Sequence, residues 1–164
     1  MTGGIVVIGL GNRYRRDDGV GVAVADALNE LALPDIRVVT GIADPMSLLE
    51  AWRGAGLAVV IDAAVAVPST PGRICRCTSD DLANATDGLS SHDVDLAPTY
   101  ALGQALGRLP DELAVFAVEV ADTTHGVGLT PQVAAAVPEV FSMIVAELGP
   151  TRRAAGRSSR AASQ

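Results

Sequence analysis

The chain has 164 residues, enough for one domain with a sizeable core; 49% are apolar and only 3% aromatic, so that core is built from small aliphatic side chains. The net charge is −7 and every basic residue is Arg. Arg152, Arg153, Arg157 and Arg160 lie in a final stretch without acids, leaving about −11 on the rest. An acidic body argues against a nucleic-acid partner, and the absence of Lys excludes a P-loop. No uninterrupted apolar run approaches a membrane span and no secretory signal precedes the core, so the expectation is a cytoplasmic protein without a membrane partner. Cys75 and Cys77, two apart, do not make a disulfide framework.

Ile5 to Gly9 reads as a buried strand opening on four β-branched residues. It breaks at Gly9-Leu10-Gly11-Asn12, crosses the basic loop Arg13 to Arg16 and meets Asp17 and Asp18. A helix follows from about Gly19 to Leu31, with Val20, Val24, Ala27, Leu28 and Leu31 at helical spacing. Arg37 to Thr40 is a second strand. Asp44-Pro45 reads as an N-cap with Pro at the first helical position, opening a helix to about Trp52. Leu57 to Ile61 is apolar on both faces, as a buried parallel strand should be, and ends in Asp62. Arg73 to Thr78 alternates polar and apolar, which predicts an edge strand. Ser79 to Ser91 is a polar loop with a short helical turn. Further elements are a helix of about Leu96 to Leu106, a strand from Leu113 to Val118 closed by Glu119, and a helix opened by Thr130-Pro131 that reaches about Leu148. Pro138 should kink that helix or mark a restart. The pattern predicts an α/β fold in three layers, a five-stranded, mostly parallel, twisted sheet flanked by helices on both faces. Residues 1–149 form its single domain, and 150–164 a disordered Arg/Ala/Ser-rich tail.

Open α/β sheets bind ligands beyond the carboxyl ends of their strands. Asp17 or Asp18 follows the first strand, Asp62 closes the third, and His92 stands in a loop that opens a helix. Two carboxylates and an imidazole converging there would make a three-ligand divalent-metal site with open positions. The plainer readings are that the two aspartates cap the helix and that His92 is a polar loop residue. His125, among Thr, Gly and Val, is the weaker of the two histidines. Cys75 and Cys77 share one strand face, where small packed side chains explain them better than a metal or redox pair. The glycines near Gly9 lack the third glycine of a dinucleotide fingerprint, since Tyr14 stands there. No nucleophilic Ser or Cys motif is present.

Ile8-Gly9-Leu10-Gly11-Asn12, four residues, then Asp17-Asp18-Gly19-Val20-Gly21-Val22 resembles the opening signature of the hydrogenase maturation proteases, which trim the C-terminus of nickel–iron hydrogenase large subunits. Val59 to Ala63 with the later Pro71-Gly72, Ser91-His92-Asp93, and Gly126-Val127-Gly128-Leu129-Thr130-Pro131 resemble the family's remaining motifs in order. The resemblance spans about residues 4 to 148. It implies a peptidase domain whose metal-binding residues are Asp18, Asp62 and His92, with Asp62 and Asp18 catalytic. It also implies that the metal is nickel carried by the substrate, for which zinc or cadmium would be a surrogate. The partner is then the large-subunit precursor, met by a monomer. Gly41 to Asp44 would line the peptide groove, although it lacks the Gly-Thr step of the family, and Arg15-Arg16 is unusually basic there. Two other readings stand beside this one: a metal-site inspection or chaperone module that does not cut, and a peptidyl-tRNA hydrolase-like enzyme suggested by Gly9 to Asn12 alone.

Overall fold

A computed structural model describes residues 3–83 and 95–162, with side chains through Gly149. The elements are β1 (Ile5–Gly9), a 3-10 turn (Arg16–Gly19), α1 (Val20–Glu30), β2 (Ile36–Thr40), α2 (Pro45–Trp52), β3 (Leu57–Ala64), β4 (Ile74–Thr78), α3 (Ser79–Ala83), α4 (Leu96–Leu106), β5 (Glu112–Glu119) and α5 (Pro131–Ala162). The sheet order is β2-β1-β3-β5-β4. Four strands run parallel, and β4 lies antiparallel to β5 at one edge, as its wet face predicted.

The two-residue period of each strand divides the core between the faces. Ile5 and Val7 of β1 pack with Val59 and Ile61 of β3 beneath α1 and α5. Val6, Ile8, Ala58 and Val60 pack on the opposite face with Leu48, Leu49 and Trp52 of α2 and Leu96 of α4. The expected three layers are therefore present. Buried Trp52 keeps its indole N–H satisfied by donating to the carbonyl of Arg108 at 2.9 Å. Asp44 caps α2 as predicted, accepting from the Ser47 N–H at 2.9 Å.

Beyond shifts of a residue or so at other ends, β3 and α5 run further than the sequence pattern predicts. β3 continues past Asp62 to Ala64 because β5 runs alongside to Glu119 and supplies ladder partners, Asp62 facing Ala117. α5 passes through Pro138 without a restart and continues beyond Leu148. Its segment Pro131–Gly149 has the length and mean hydropathy (1.3) to cross a membrane. Val133, Ala136, Val140, Ile144 and Leu148 recur at helical spacing, however, and pack into the core. That stripe makes one side of the segment part of the core, with 28% of the stretch buried.

The sheet order places a topological switch between β1 and β3. From β1 the chain crosses to β2 on one side, and it returns to β3 on the other. The helix-side connections diverge there and leave a crevice at the carboxyl edge. The Asp18 turn and the Asp62 strand meet at this edge, where the 3-10 turn packs against β3.

Candidate functional site

The site begins where β1 ends. The Leu10 N–H donates to the Ile61 carbonyl at 2.9 Å, which ties the loop after β1 to the strand that carries Asp62. Gly11 has φ +111°, and a Cβ there would lie 2.0 Å from the Asp18 carbonyl oxygen. Only glycine meets both demands. Asn12 then folds the loop back. Its side-chain oxygen accepts from the Tyr14 N–H at 2.9 Å, and its backbone N–H donates to Asp18 Oδ2 at 2.9 Å.

Neither aspartate of the pair makes the helix cap that was the plainer reading, for α1 starts without a side-chain cap. The two have separate tasks. Asp17 is fully buried. One carboxylate oxygen accepts from the N–H groups of Ala121 (2.9 Å) and Asp122 (3.0 Å) and from the Thr130 hydroxyl (2.8 Å). The other accepts from the Thr130 N–H at 2.7 Å. Burial pushes its pKa up, but the hydrogen bonds from Asp122, Thr130 and Ala121 outweigh it and hold the carboxyl below its ordinary 3.8. Asp17 thus binds the loop after β1 to the loop before α5. The Asp17 N–H to the Asp122 carbonyl and the Arg16 N–H to the Gly126 carbonyl reinforce the seam.

Asp18, also buried, holds the Asn12 N–H and lines a surface groove. Asp62 is buried on β3, and by the alternation of that strand it shares a face with Ala58 and Val60. The first turn of α1 presses against the backbone just before it. A Cβ on Gly21 would lie 2.5 Å from the carbonyl oxygens of both Ile61 and Leu10. The 3-10 turn itself packs against β3. The structure therefore brings the Asp18 turn and the Asp62 strand to one edge of the sheet. Two buried carboxylates flanking a crevice are hard donors suited to a divalent cation.

His92 lies outside the described residues. His125 is exposed in the loop held by Asp17, and among the described residues no group of three or more His, Cys, Asp or Glu side chains is arranged to hold a metal. His125 thus does not complete the aspartate pair. The sulfur atoms of Cys75 and Cys77 are 3.7 Å apart. Cys77 is buried in the core, and burial followed by its contact with Cys75 pushes its thiol up to about 11. Such a thiol is an inert packing group.

The groove beside Asp18 has a volume of about 430 Å3. The loop after β1, including Asn12, Arg13, Tyr14 and Arg15, forms one wall, and Thr40, Gly41, Ile42 and Ala43 form the other. Gly41, Ile42 and Ala43 of the segment after β2 thus line this groove, while Asp44 caps α2 instead. Sequence reasoning did not find the Asp17–Thr130 clamp. Its partners are 113 residues apart, and Thr130 is explained locally by the helix it precedes.

Residues 22–147 match the family model for hydrogenase maturation protease, HycI. The chain is 27% identical over 147 residues to the hydrogenase 2 maturation protease of Escherichia coli, covering 88% of this chain and 90% of that one. It is 28% identical over 151 residues to the hydrogenase expression/formation protein HupD of Rhodobacter capsulatus, covering 88% and 70%. Its fold is similar to the hydrogenase maturating endopeptidase HybD from E. coli, with a TM-score of 0.76 at 23% identity over 90% of this chain and 93% of the other. The HybD protease from Thermococcus kodakarensis gives 0.68 at 21%, over 85% and 95%. The family model covers well over half of the chain, and the curated relatives agree with it: the chain belongs to the hydrogenase maturation protease family.

Proposed function

We propose that this endopeptidase removes the C-terminal extension of a nickel–iron hydrogenase large-subunit precursor, and that it does so only when the precursor carries nickel. Asp18, Asp62 and His92 are the residues that read the metal. The observation that carries the reading is the pair of buried carboxylates at the switch point, one of which opens into a groove wide enough for a peptide. Carboxylate oxygens are hard donors, and a substrate-borne divalent cation is a partner that suits them. Nickel belongs to the substrate in this scheme, and zinc or cadmium would occupy the same oxygen and nitrogen donors as surrogates. Binding would then be coupled to metal loading, because a nickel-loaded precursor brings a cation to these donors and an empty one does not. We place the enzyme as a monomer in the cytoplasm.

Hydrolysis needs water to add to the scissile carbonyl carbon. In our reading Asp62 takes the proton from that water and delivers it to the amide nitrogen as the C–N bond breaks. Asp18 holds the metal-bearing segment so that the peptide lies in the groove.

The test is the intact mass of the cognate precursor, nickel-loaded or nickel-free, after incubation with the wild type, Asp62→Asn or Asp18→Asn. Loss of a C-terminal peptide is expected only with nickel and only with both carboxylates intact. Trimming of the nickel-free precursor would remove the metal-reading role. Unchanged mass with every enzyme and substrate would sink the proposed cleavage.

A further inference from the structure

Eight arginines have described side chains, and six of them face a carboxylate. Arg13 meets Asp26, Arg16 meets Asp122, Arg53 and Arg108 meet Glu50, Arg73 meets Glu119 and Arg76 meets Glu147. Arg37 and Arg15 instead donate to backbone carbonyls, those of Ala51 and Thr123. Arg37 lies at the opposite end of the sheet. Arg15 lines the groove.

Arg15 is held in place more firmly than a surface side chain. It is half-buried. Its backbone bridges to Gly126, its carbonyl accepts from the Asp18 N–H at 3.1 Å, and its Nε donates to Thr123 at 3.2 Å. Among the described residues no carboxylate ion-pairs with it. An anchored guanidinium that meets no acid among the described residues, in a chain of charge −7, is a prepared receptor for an incoming carboxylate.

We infer that Arg15 is a specificity residue of the peptide groove, binding a carboxylate of the substrate's extension. The inference rests on the proposed function for the nature of its ligand. The carboxylate is either an Asp or Glu side chain or the terminal carboxylate of the extension. Arg15 lies one tight turn from Asp18 and lines the same groove, so the acid recognised belongs to the part of the extension that lies against the loop after β1.

The test reads binding, so it does not depend on nickel or on cleavage. Three N-acetylated, fluorescently labelled hexapeptides of alanine and valine are titrated against the full chain. One carries a single glutamate and an amidated end, one glutamine and an amidated end, and one glutamine and a free terminal carboxylate. The glutamate peptide should bind the wild type about tenfold more tightly than the amidated glutamine peptide. That preference should vanish in Arg15→Gln and survive in part in Arg15→Lys. A gain restored by the free terminus assigns the terminal carboxylate as an acceptable ligand; no such gain assigns the side chain. Equal binding of all three peptides to the wild type, or no binding at millimolar peptide, overturns the inference. Comparing ligands on the wild type needs no variant, so a misfolded variant cannot obscure the answer. Cleavage failing while the carboxylate preference persists would discard the proposed reaction and leave the role of Arg15 standing.

Discussion

Asp17 and Asp18 are identical neighbours with different work, and the difference is made by what surrounds each side chain. Asp17 accepts four hydrogen bonds from a loop more than a hundred residues away. Asp18 accepts from Asn12 and faces the groove. An asparagine at position 17 keeps one acceptor oxygen and turns an N–H2 group toward backbone donors. Hydrogen bonds to a charged group contribute about 1.5–3 kcal/mol each, and an unmatched buried donor costs a further ~1–3 kcal/mol. Asp17→Asn should therefore lower stability by about 3 kcal/mol or more in urea unfolding. On the partner side, Thr130→Ser keeps the hydroxyl and should stay within about 1 kcal/mol of the wild type, whereas Thr130→Val should lose more. Equal losses in the two Thr130 variants would mean that the hydroxyl bond to Asp17 contributes nothing.

At the scale of elements, the carboxyl edge depends on how closely α1 approaches β1 and β3. Gly21 sets that distance, because any Cβ would meet two backbone carbonyls at 2.5 Å. Alanine would gain up to ~1 kcal/mol in helix propensity. Overpacking against atoms that cannot rotate away costs at least the ~1–3 kcal/mol seen for crowded cores. The second effect wins, and Gly21→Ala should be destabilised by about 2 kcal/mol in a denaturant melt, with processing impaired beyond that loss because the Asp18 turn is displaced from Asp62. Unaltered processing at temperatures where the variant is folded would show that the carboxylates tolerate the shift. The edge strand β4 illustrates a different control. Its wet face is visible in the alternation of Arg73 to Thr78, yet its antiparallel direction follows from the path of the loop before it.

The whole molecule is one three-layer unit closed on one face by α1 and α5, and among the described side chains the last one buried on α5 is Leu148. Removing residues 150–164 should leave the thermal midpoint within about 2 °C, since no described core contact lies beyond that point; a larger drop in a melting curve would mean that the basic tail docks. The amino-acid sequence by itself determined the layer count, the strand and helix order, the edge position of β4, the cap on α2 and the motif run that carries the family resemblance. These rest on period, caps and turn residues, which are local properties of the chain. The different bonding of Asp17 and Asp18, the continuation of β3 past Asp62, the groove between the loop after β1 and the segment after β2, and the anchoring of Arg15 were decided only by the tertiary structure. Each depends on a partner far away in sequence: Thr130 for Asp17, β5 for the end of β3, Thr40 to Ala43 for the groove wall, Thr123 for Arg15. Local pattern records which residues want burial or a bond; only the assembled sheet and its loops decide which distant group supplies it.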